Sequence, residues 1–189
     1  MNRVNPYTKY LGKEDVMQAE IARFIARKYP DLLWWHTVNE GKRSQFEQFK
    51  FKELGGKSGV SDFVIIQPSH FSNGLMMEIK WGKNGCTKDQ VEFLIQSAMK
   101  GFTAAVVYDY HQDATSLITR HVESGIIFPE DGILLIKKGV ESVVPFADAF
   151  KVLCKKEKAE LDKDKVKKAF TAQAKAKFGA GVRKEKLFG

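Results

Sequence analysis

Two acids and a lysine lie inside a stretch that otherwise has the pattern of a β-hairpin. The stretch is GVSDFVIIQPSHFSNGLMMEIKW, residues 59–81, in which Asp62 opens one apolar run while Glu78 and Lys80 interrupt the next. Carboxylate oxygens are the ligands that hard divalent cations prefer, and an ammonium group can neutralise charge that develops beside them. A charge in an apolar strand is costly, so these residues are candidates for a site.

Strand alternation brings the three charges together. Side chains alternate between the two faces of a strand, so Glu78 and Lys80 share one face. Their apolar neighbours then turn to the core: Met77, Ile79 and Trp81. If the strands pair about the Asn-Gly turn, Asp62 falls near Glu78 and Lys80. A metal site and a cross-strand salt bridge of Lys80 with either acid both remain open at this point.

The surrounding pattern predicts the elements that must hold these residues. Helices are predicted over 14–29, 86–101 and 111–124, and strands over 31–38, 62–67, 75–81 and 103–110. Residues 132–138 and 141–146 are predicted to be short edge strands, and residues 39–59 a loop with a short helical turn. This order predicts an α/β domain in layers around a mixed sheet.

The positive charge of the chain is concentrated at its C-terminal end. Its 189 residues carry 31 lysines and arginines against 23 acids, and residues 151–189 hold 13 of the former and 5 of the latter. Such a segment indicates a polyanionic partner such as nucleic acid, or a solvated helix that aids solubility. We expect a folded domain over residues 1–145 and a basic, Lys-rich helical extension with a mobile end over 146–189.

Several classes of protein are not indicated. No apolar run approaches the roughly 20 residues of a membrane span, and the N-terminal residues lack the apolar core of a secretory signal. Cys86 and Cys154 lie far apart and form no CxxC pair. We therefore expect a cytoplasmic protein with reduced cysteines, no membrane partner and no organic cofactor.

The hairpin and its flanks resemble the PD-(D/E)xK nuclease core, in which an acid opens one strand and E-x-K lies in the next. The resemblance is closest to the VRR-NUC (virus-type replication–repair nuclease) branch, through the ordered blocks NEGKR, GVSDF, GLMMEIKW and TKDQ and a strand ending in VVY. It covers roughly residues 14–110. Ser61 stands where the general superfamily pattern has proline.

The resemblance implies a restriction-endonuclease-like α-β-β-β-α-β core and a metal-dependent DNA endonuclease. Asp62 and Glu78 would bind Mg²⁺ or Mn²⁺, and the backbone carbonyl of Ile79 would complete the protein ligands. The metal would lower the pKa of a bound water for attack on a phosphodiester, and Lys80 would orient that water or neutralise the phosphate. A ligand set of oxygens alone argues against zinc.

The first helix adds a carboxylate to the site in related nucleases. A helical wheel places Glu14 on the stripe of Ile21 and Ile25, whereas Glu20 lies nearly a quarter-turn away. We therefore favour Glu14 over Glu20, although either acid could simply interact with the helix dipole.

Other residues near the site have two interpretations each. Gln90 forms a capping box with Thr87, and a glutamine at this place borders the active site in the family. Four basic residues in loops are expected to contact DNA phosphates or to be ordinary exposed charges: Lys42, Arg43, Lys57 and Lys83. The three tryptophans are expected to be core residues, with base-stacking surfaces as the alternative: Trp34, Trp35 and Trp81.

Two classes of function compete. The first is an endonuclease selective for branched DNA, since small stand-alone members of the family resemble Holliday-junction resolvases, which act as homodimers in DNA repair. A sequence-specific restriction-type endonuclease is the alternative enzyme, although we recognise no additional domain for sequence readout. The second class is a non-catalytic basic DNA-binding protein, which the intact set of two acids and a lysine disfavours. The family also suggests a viral or mobile-element origin.

Overall fold

The structure is a computed structural model in which residues 6–37, 44–124 and 131–154 are described. Its helices are α1 (Lys13–Lys28), α2 (Gln45–Glu53), α3 (Lys88–Met99), α4 (His111–Thr119) and α5 (Phe146–Leu153). Its strands are β1 (Trp34–His36), β2 (Phe63–Ile65), β3 (Leu75–Lys80), β4 (Thr103–Tyr108), β5 (Gly132–Lys137) and β6 (Val140–Pro145). A short 3-10 helix, Pro6–Tyr10, precedes α1, and a π-helical turn, Arg120–Ser124, extends α4.

Within the described residues the strands form one mixed six-stranded sheet in the order β1-β2-β3-β4-β5-β6. The strands β1, β2 and β3 pair antiparallel, β3, β4 and β5 pair parallel, and β6 returns antiparallel to β5. The predicted α-β-β-β-α-β order around a mixed sheet is confirmed. The carboxyl ends of the central strands β3 and β4 lie side by side at one end of the sheet, together with the start of β2.

Helices cover both faces of this sheet. The helices α1 and α4 pack on one face through residues such as Ile21, Ile25 and Leu117. The helices α3 and α5 pack on the other face through residues such as Leu94 and Leu153. All six residues of β3 and all six of β4 are buried, as expected for central strands with helices on both sides.

The hairpin of β2 and β3 has the predicted pairing, but the chain reverses elsewhere. The backbones of Ser69 and Ser72 form a small antiparallel bridge, so the loop tip lies at His70 and Phe71 and not at Asn-Gly. The side chain of Asn73 instead donates to the Lys100 carbonyl at the end of α3, 2.9 Å away. The predicted turn was wrong because Asn73 anchors the loop to a helix that is remote in sequence.

Two predicted elements differ from the structure. Residues 45–53 form a nine-residue helix, α2, where a loop with a short helical turn was predicted, and Ser44 and Glu47 close a capping box at its start. The strand β5 is an internal strand between β4 and β6, so the prediction that it lies at an edge was wrong. β6 is the edge strand, and it ends at Pro145, which cannot donate to a ladder.

Close packing against α3 explains why a glycine occupies position 59, three residues before Asp62. Gly59 has a φ of +78°, and a Cβ there would overlap the backbone of Asp89 in the first turn of α3. The side chain of Ser58 also donates to the carboxylate of Asp89. The close approach that the sequence suggested is therefore made to α3 and fixes the entry into β2.

The two cysteines are neighbours in space although 68 positions separate them in sequence. Cys86, in the loop before α3, and Cys154, at the end of α5, form an isolated parallel bridge. The Cys86 amide donates to the Leu153 carbonyl over 2.8 Å, and neither cysteine forms a disulfide. The loop between β3 and α3 is thereby fixed to the end of α5.

The helix α5 belongs to the same compact unit as the sheet, which covers Met1–Lys155. The rest of the basic extension lies outside the described residues, so its helical character and the boundary at residue 145 stay predictions. In the part of the chain that is described, no helix has the length and apolar character needed to cross a membrane.

Candidate active site

Asp62 lies directly before β2 and is fixed to the adjacent strand β3. The pairing of Phe63 with Met77 places Asp62 opposite Glu78. Its Oδ2 accepts a hydrogen bond from the Ile79 amide over 2.8 Å, and its carbonyl accepts one from the Thr37 amide. The Asp62 side chain is buried. The structure therefore positions this carboxylate from β1, β2 and β3 at once.

Glu78 and Lys80 point to the same face of β3, as the alternation predicts. Glu78 is 0% exposed and Lys80 is also buried. The Lys80 Nζ lies 2.5 Å from Glu78 Oε1, so the salt bridge of the alternative interpretation is present. Glu78 Oε2, however, is buried and has no hydrogen-bond partner among the described residues. A salt bridge alone leaves this oxygen unexplained.

The electrostatics of the cluster show a deficit of positive charge. Burial raises the pKa of Glu78 to about 8, and the Asp62 carboxylate adds to the rise, while the Lys80 ammonium and the Asp62 amide oppose it. Burial likewise raises the pKa of Asp62. Burial alone would lower the pKa of Lys80, but its contacts with Glu78 outweigh this and raise it to about 12. One ammonium thus faces two buried carboxylates.

Gln90 has both of the roles that the sequence left open. Its Oε1 accepts from the Thr87 amide over 2.8 Å, which closes the capping box of α3. Its Nε2 donates to Glu78 Oε1. Because one side chain makes both bonds, the start of α3 is coupled directly to the acid in the centre of the sheet.

The two glutamates of α1 have different surroundings. Glu14 Oε2 accepts from the Trp81 amide over 3.1 Å, at the end of β3, and its charge contributes to the raised pKa of Asp62. Glu20 instead forms a 2.7 Å ion pair with Arg23, and its side chain is 40% exposed. The structure brings Glu14 to the edge of the site and leaves Glu20 on the surface of α1.

Two further residues at this edge received no role from the sequence. His36, at the end of β1, opposes the rise in the pKa of Asp62 that burial causes. Its Nε2 is buried with no hydrogen-bond partner in the described part of the chain. Asp109, after β4, has a φ of +66°, and its Oδ1 accepts from the Gly82 amide over 2.5 Å. Only the positions of His36 and Asp109 at the carboxyl ends of β1 and β4 could have indicated them, and a single sequence does not specify that these two strands, which are not neighbours, end on the same side of the sheet.

The donor set fits a hard divalent cation that is bound partly through water. Asp62 and Glu78 supply carboxylate oxygens, and the partnerless Glu78 Oε2 is available for a ligand bond. The described residues hold no group of three or more histidine, cysteine, aspartate or glutamate side chains arranged around an ion. Mg²⁺ is commonly bound through one or two carboxylates with several waters retained, so a pair of carboxylates is sufficient.

The basic residues predicted to contact DNA are distributed as follows. Lys83 is exposed in the loop after β3, beside the site. Lys57 is exposed before β2 and lines a cleft between α2 and α3. Lys42 and Arg43 lie outside the described residues.

The tryptophans depart in part from the prediction. Trp34 and Trp81 are half-buried and pack against the core, as expected. Trp35 is 47% exposed, because alternation along the edge strand β1 turns it away from the face that Trp34 covers. The prediction that Trp35 is a core residue was wrong.

Comparison with known proteins supports the fold. No protein-family model matches the sequence, and no curated protein matches it significantly. Among solved structures, a chain described as a "VRR_NUC domain protein" is similar with a TM-score of 0.51 and 24% sequence identity. The similarity covers 61% of this chain and 92% of that one. The chain thus shares the mixed α/β fold of that VRR_NUC domain structure.

Proposed function

We propose that this protein is a divalent-metal-dependent nuclease that hydrolyses phosphodiester bonds in DNA. The observation that carries the proposal is the buried trio of Asp62, Glu78 and Lys80 at the carboxyl end of the central strand β3. In this trio the single lysine balances the charge of only one acid. Glu78 Oε2, which has no hydrogen-bond partner among the described residues, would be a ligand to the cation. The fold shared with a VRR_NUC domain protein supports the same conclusion.

Mg²⁺ or Mn²⁺ would be held by Asp62, Glu78 and the Ile79 carbonyl, and when bound it supplies Lewis-acid activation of water and of the phosphate. Lys80 presents its ammonium at the same face and would orient the attacking water or neutralise the phosphate oxygens. Gln90 donates from its Nε2 to Glu78 Oε1 and so holds the Glu78 carboxylate in place. Glu14 is a positioning residue for the end of β3, and a ligand role for Glu14 stays part of the proposal.

The substrate that we propose is branched DNA, such as a Holliday junction or a flap. A homodimer would bring two such sites to the two strands that must be cut. Lys83, exposed in the loop after β3, and Lys57, exposed before β2, would contact the phosphate backbone. The excess of positive charge in residues 151–189 is consistent with the same partner.

A cleavage panel tests the substrate class. Four-way junctions, flaps and linear duplexes of equal length would be incubated with the protein and Mg²⁺ or Mn²⁺, with EDTA as the control. We expect cutting of branched substrates only when a metal is present. Discrete bands from plain duplex would instead indicate a restriction-type enzyme, and metal-independent cutting would contradict the proposal.

A binding measurement separates an inactive preparation from a wrong proposal. Isothermal titration with Mn²⁺ is expected to detect a site in the wild-type protein and to lose it in Asp62→Asn. If no substrate is cut and no Mn²⁺ is bound, the nuclease proposal is wrong and the non-catalytic DNA-binding alternative is favoured.

A further inference from the structure

A cleft with two aromatic side chains in its walls opens near the carboxyl end of β3. Its walls come from the start of α1 and from the ends of β3 and β4, and its volume is about 480 Å³. We call it the Trp81 cleft and define it by the side chains that could contact a ligand: Lys13, Trp81, Tyr110 and His111. Trp81 follows Lys80 in the chain, so their Cα atoms are about 3.8 Å apart.

Three hydrogen bonds fix the backbone around Trp81. The Trp81 amide donates to Glu14 Oε2 over 3.1 Å. On either side of it, the Lys80 carbonyl accepts from the Asp109 amide over 3.0 Å and the Gly82 amide donates to Asp109 Oδ1. Asp109 adopts a positive φ of 66°, which is unfavourable for a residue other than glycine. This arrangement fixes the position of the indole.

The indole itself lies between open space and the core. It packs against the core cluster beneath α1 and lines both the Trp81 cleft and a neighbouring cleft of about 460 Å³ that also reaches Asn84. The Lys13 Nζ lies 5.5 Å from the centre of its ring. A flexible lysine over the ring shows that this face of Trp81 is accessible to a cation or to another flat group.

More aromatic and basic groups lie near the cleft. Tyr110 is 47% exposed on the opposite wall. Leu11 lines the cleft, and the 3-10 helix before it carries Tyr7 and Tyr10, which are each 73% exposed. Lys9 lies over the Tyr10 ring at 5.0 Å. Exposed aromatic groups with lysines between them are typical of surfaces that bind single-stranded nucleic acid.

Two acids, Glu20 and Asp109, also line the cleft, and Glu14 lies nearby; each of them has a partner of its own. Glu20 is paired with Arg23, Asp109 accepts from the Gly82 amide, and Glu14 accepts from the Trp81 amide. Lys13 and His111 remain directed to the cleft. The rings of Trp81 and Tyr110 suit the base of one nucleotide, which would stack on them. The phosphate of that nucleotide would contact the Lys13 ammonium.

We infer that the Trp81 cleft binds an unpaired nucleotide of the strand that is cut, with its base stacked on Trp81 and Tyr110. This inference rests on the proposed nuclease function and specifies its substrate, because a base in an intact duplex is covered by its neighbours and cannot enter. The Trp81 and Lys80 side chains point to opposite faces of β3, but both lie at its carboxyl end, where Glu14 of α1 accepts from the Trp81 amide. The bound nucleotide would therefore flank the scissile phosphate at this end of the sheet. The protein would then select flaps, gaps and junction openings by the presence of an unpaired base.

The test is a binding titration of the full chain in EDTA, so that no cutting occurs. A fluorescein-labelled 12-nucleotide oligo(dT) and a blunt duplex of the same length would be followed by anisotropy. We expect Trp81→Leu and Tyr110→Leu each to weaken binding of the single strand about tenfold, with little change for the duplex. Phe46→Leu is the matched control, since Phe46 is a 70% exposed aromatic of α2 that lines neither cleft.

A second arm distinguishes stacking from general loss of structure. Lys13→Gln changes an exposed residue and is expected to weaken single-strand binding and to lower its salt dependence. In a flap carrying one abasic position next to the cut site, the loss of the base is expected to weaken wild-type binding but not binding by Trp81→Leu. Circular dichroism would show that each variant is folded.

Two results would overturn the inference. One is equal binding of the single strand by wild type, Trp81→Leu and Tyr110→Leu. The other is conversion of a dimer to a monomer by these substitutions without a change in binding, which would make the cleft an interface between two copies of the chain. Failure of the nuclease proposal has a different signature, because cutting in Mg²⁺ would then be absent while binding in EDTA still depends on Trp81.

Discussion

At the scale of single residues, charge balance in the buried trio determines the effect of each substitution. Lys80→Met leaves the Asp62 and Glu78 side chains buried without a cation and is expected to lower the free energy of unfolding by about 3 kcal/mol. Glu78→Gln leaves Asp62 and Lys80 as a balanced pair and is expected to cost less than about 1 kcal/mol. Both substitutions are expected to reduce cutting by about a hundredfold or more.

Urea denaturation of the metal-free variants measures this asymmetry. Asp148→Asn, a change at an acid in the first turn of α5, serves as the control for removal of a charge outside the trio. A larger loss of stability in Glu78→Gln than in Lys80→Met would show that the charge balance has been assigned incorrectly.

Asp109 gives a second prediction at this scale. Asp109→Ala removes the acceptor for the Gly82 amide and retains a Cβ at a positive φ, so a loss of about 2 kcal/mol is expected. Asp109→Asn keeps both the acceptor and a tolerance of this backbone conformation, and is expected to lose less than about 1 kcal/mol. Equal stability of the two variants by denaturant titration would contradict this.

Periodicity predicts some of these residues and cannot predict others. The placement of Glu78 and Lys80 on one face follows from alternation within a single strand, and the choice of Glu14 over Glu20 follows from the helical period. His36 and Asp109 reach the site only because β1 and β4 end where they do. Their selection therefore depends on strand pairing between segments remote in sequence, which a single sequence does not specify.

At the scale of elements, buried segments followed the sequence pattern and exposed ones did not. The nearly all-apolar run of β4 is typical of a strand buried on both sides, as observed. The helix α2 has no buried residue, and its Phe46 and Phe49 face solvent. A helix that buries no face shows no apolar stripe, so the sequence could not identify it.

The backbone bridge between Cys86 and Cys154 predicts that an oxidant can join them. Bridged backbones lie about 4.8 Å apart, which is within the range that a disulfide spans. Burial raises the pKa of Cys86 to about 12, so exchange with oxidised glutathione should begin at Cys154, and two molecules of glutathione should be released per disulfide formed. Mass spectrometry is expected to find a chain lighter by two hydrogen atoms.

Cys154→Ser is the control for this reaction and is expected to yield no such species. If the wild-type chain forms only mixed disulfides with glutathione or links between two chains, the two thiols are not positioned as the bridge indicates.

His121 makes the stability of the domain depend on pH. It is 0% exposed, burial lowers its pKa, and its Nε2 lies 2.8 Å from the Gln67 carbonyl, which ties the π-helical turn to the end of β2. Because the pKa is lower in the folded state than the usual 6.5, the unfolded chain binds the proton more readily. Stability should therefore be full above about pH 6.5 and decline as the pH falls below it.

Thermal melting between pH 7 and pH 5 measures this decline, and His121→Gln is expected to reduce it. An equally steep decline in His121→Gln would assign the pH dependence to other groups.

At the scale of the whole molecule, the proposed catalytic groups and most of the excess positive charge lie in different parts of the chain. Residues 155–189 contain 12 basic residues and 5 acids, whereas the proposed catalytic groups all lie before residue 91. Truncation after Cys154 keeps Leu153, a core residue of α5 that is only 1% exposed. We expect the truncated protein to bind DNA more weakly and with a smaller salt slope, since each lost phosphate contact reduces the slope by about 0.9.

The same truncation should leave the trio intact, so cutting at saturating protein in low salt should persist. Anisotropy titrations at several salt concentrations give the slope. An unchanged slope would make this segment a feature of solubility.

The most direct test of the account compares Mg²⁺-dependent cutting of a flapped DNA by the wild-type protein and by Asp62→Asn, with both shown to be folded by circular dichroism. Asp62 is the acid that three strands position together, and asparagine keeps its shape while removing its charge. We predict that the wild type cuts and that Asp62→Asn is folded, binds the flap and cuts at least about a hundredfold more slowly. Equal rates of cutting by the two proteins would contradict the assignment of the active site.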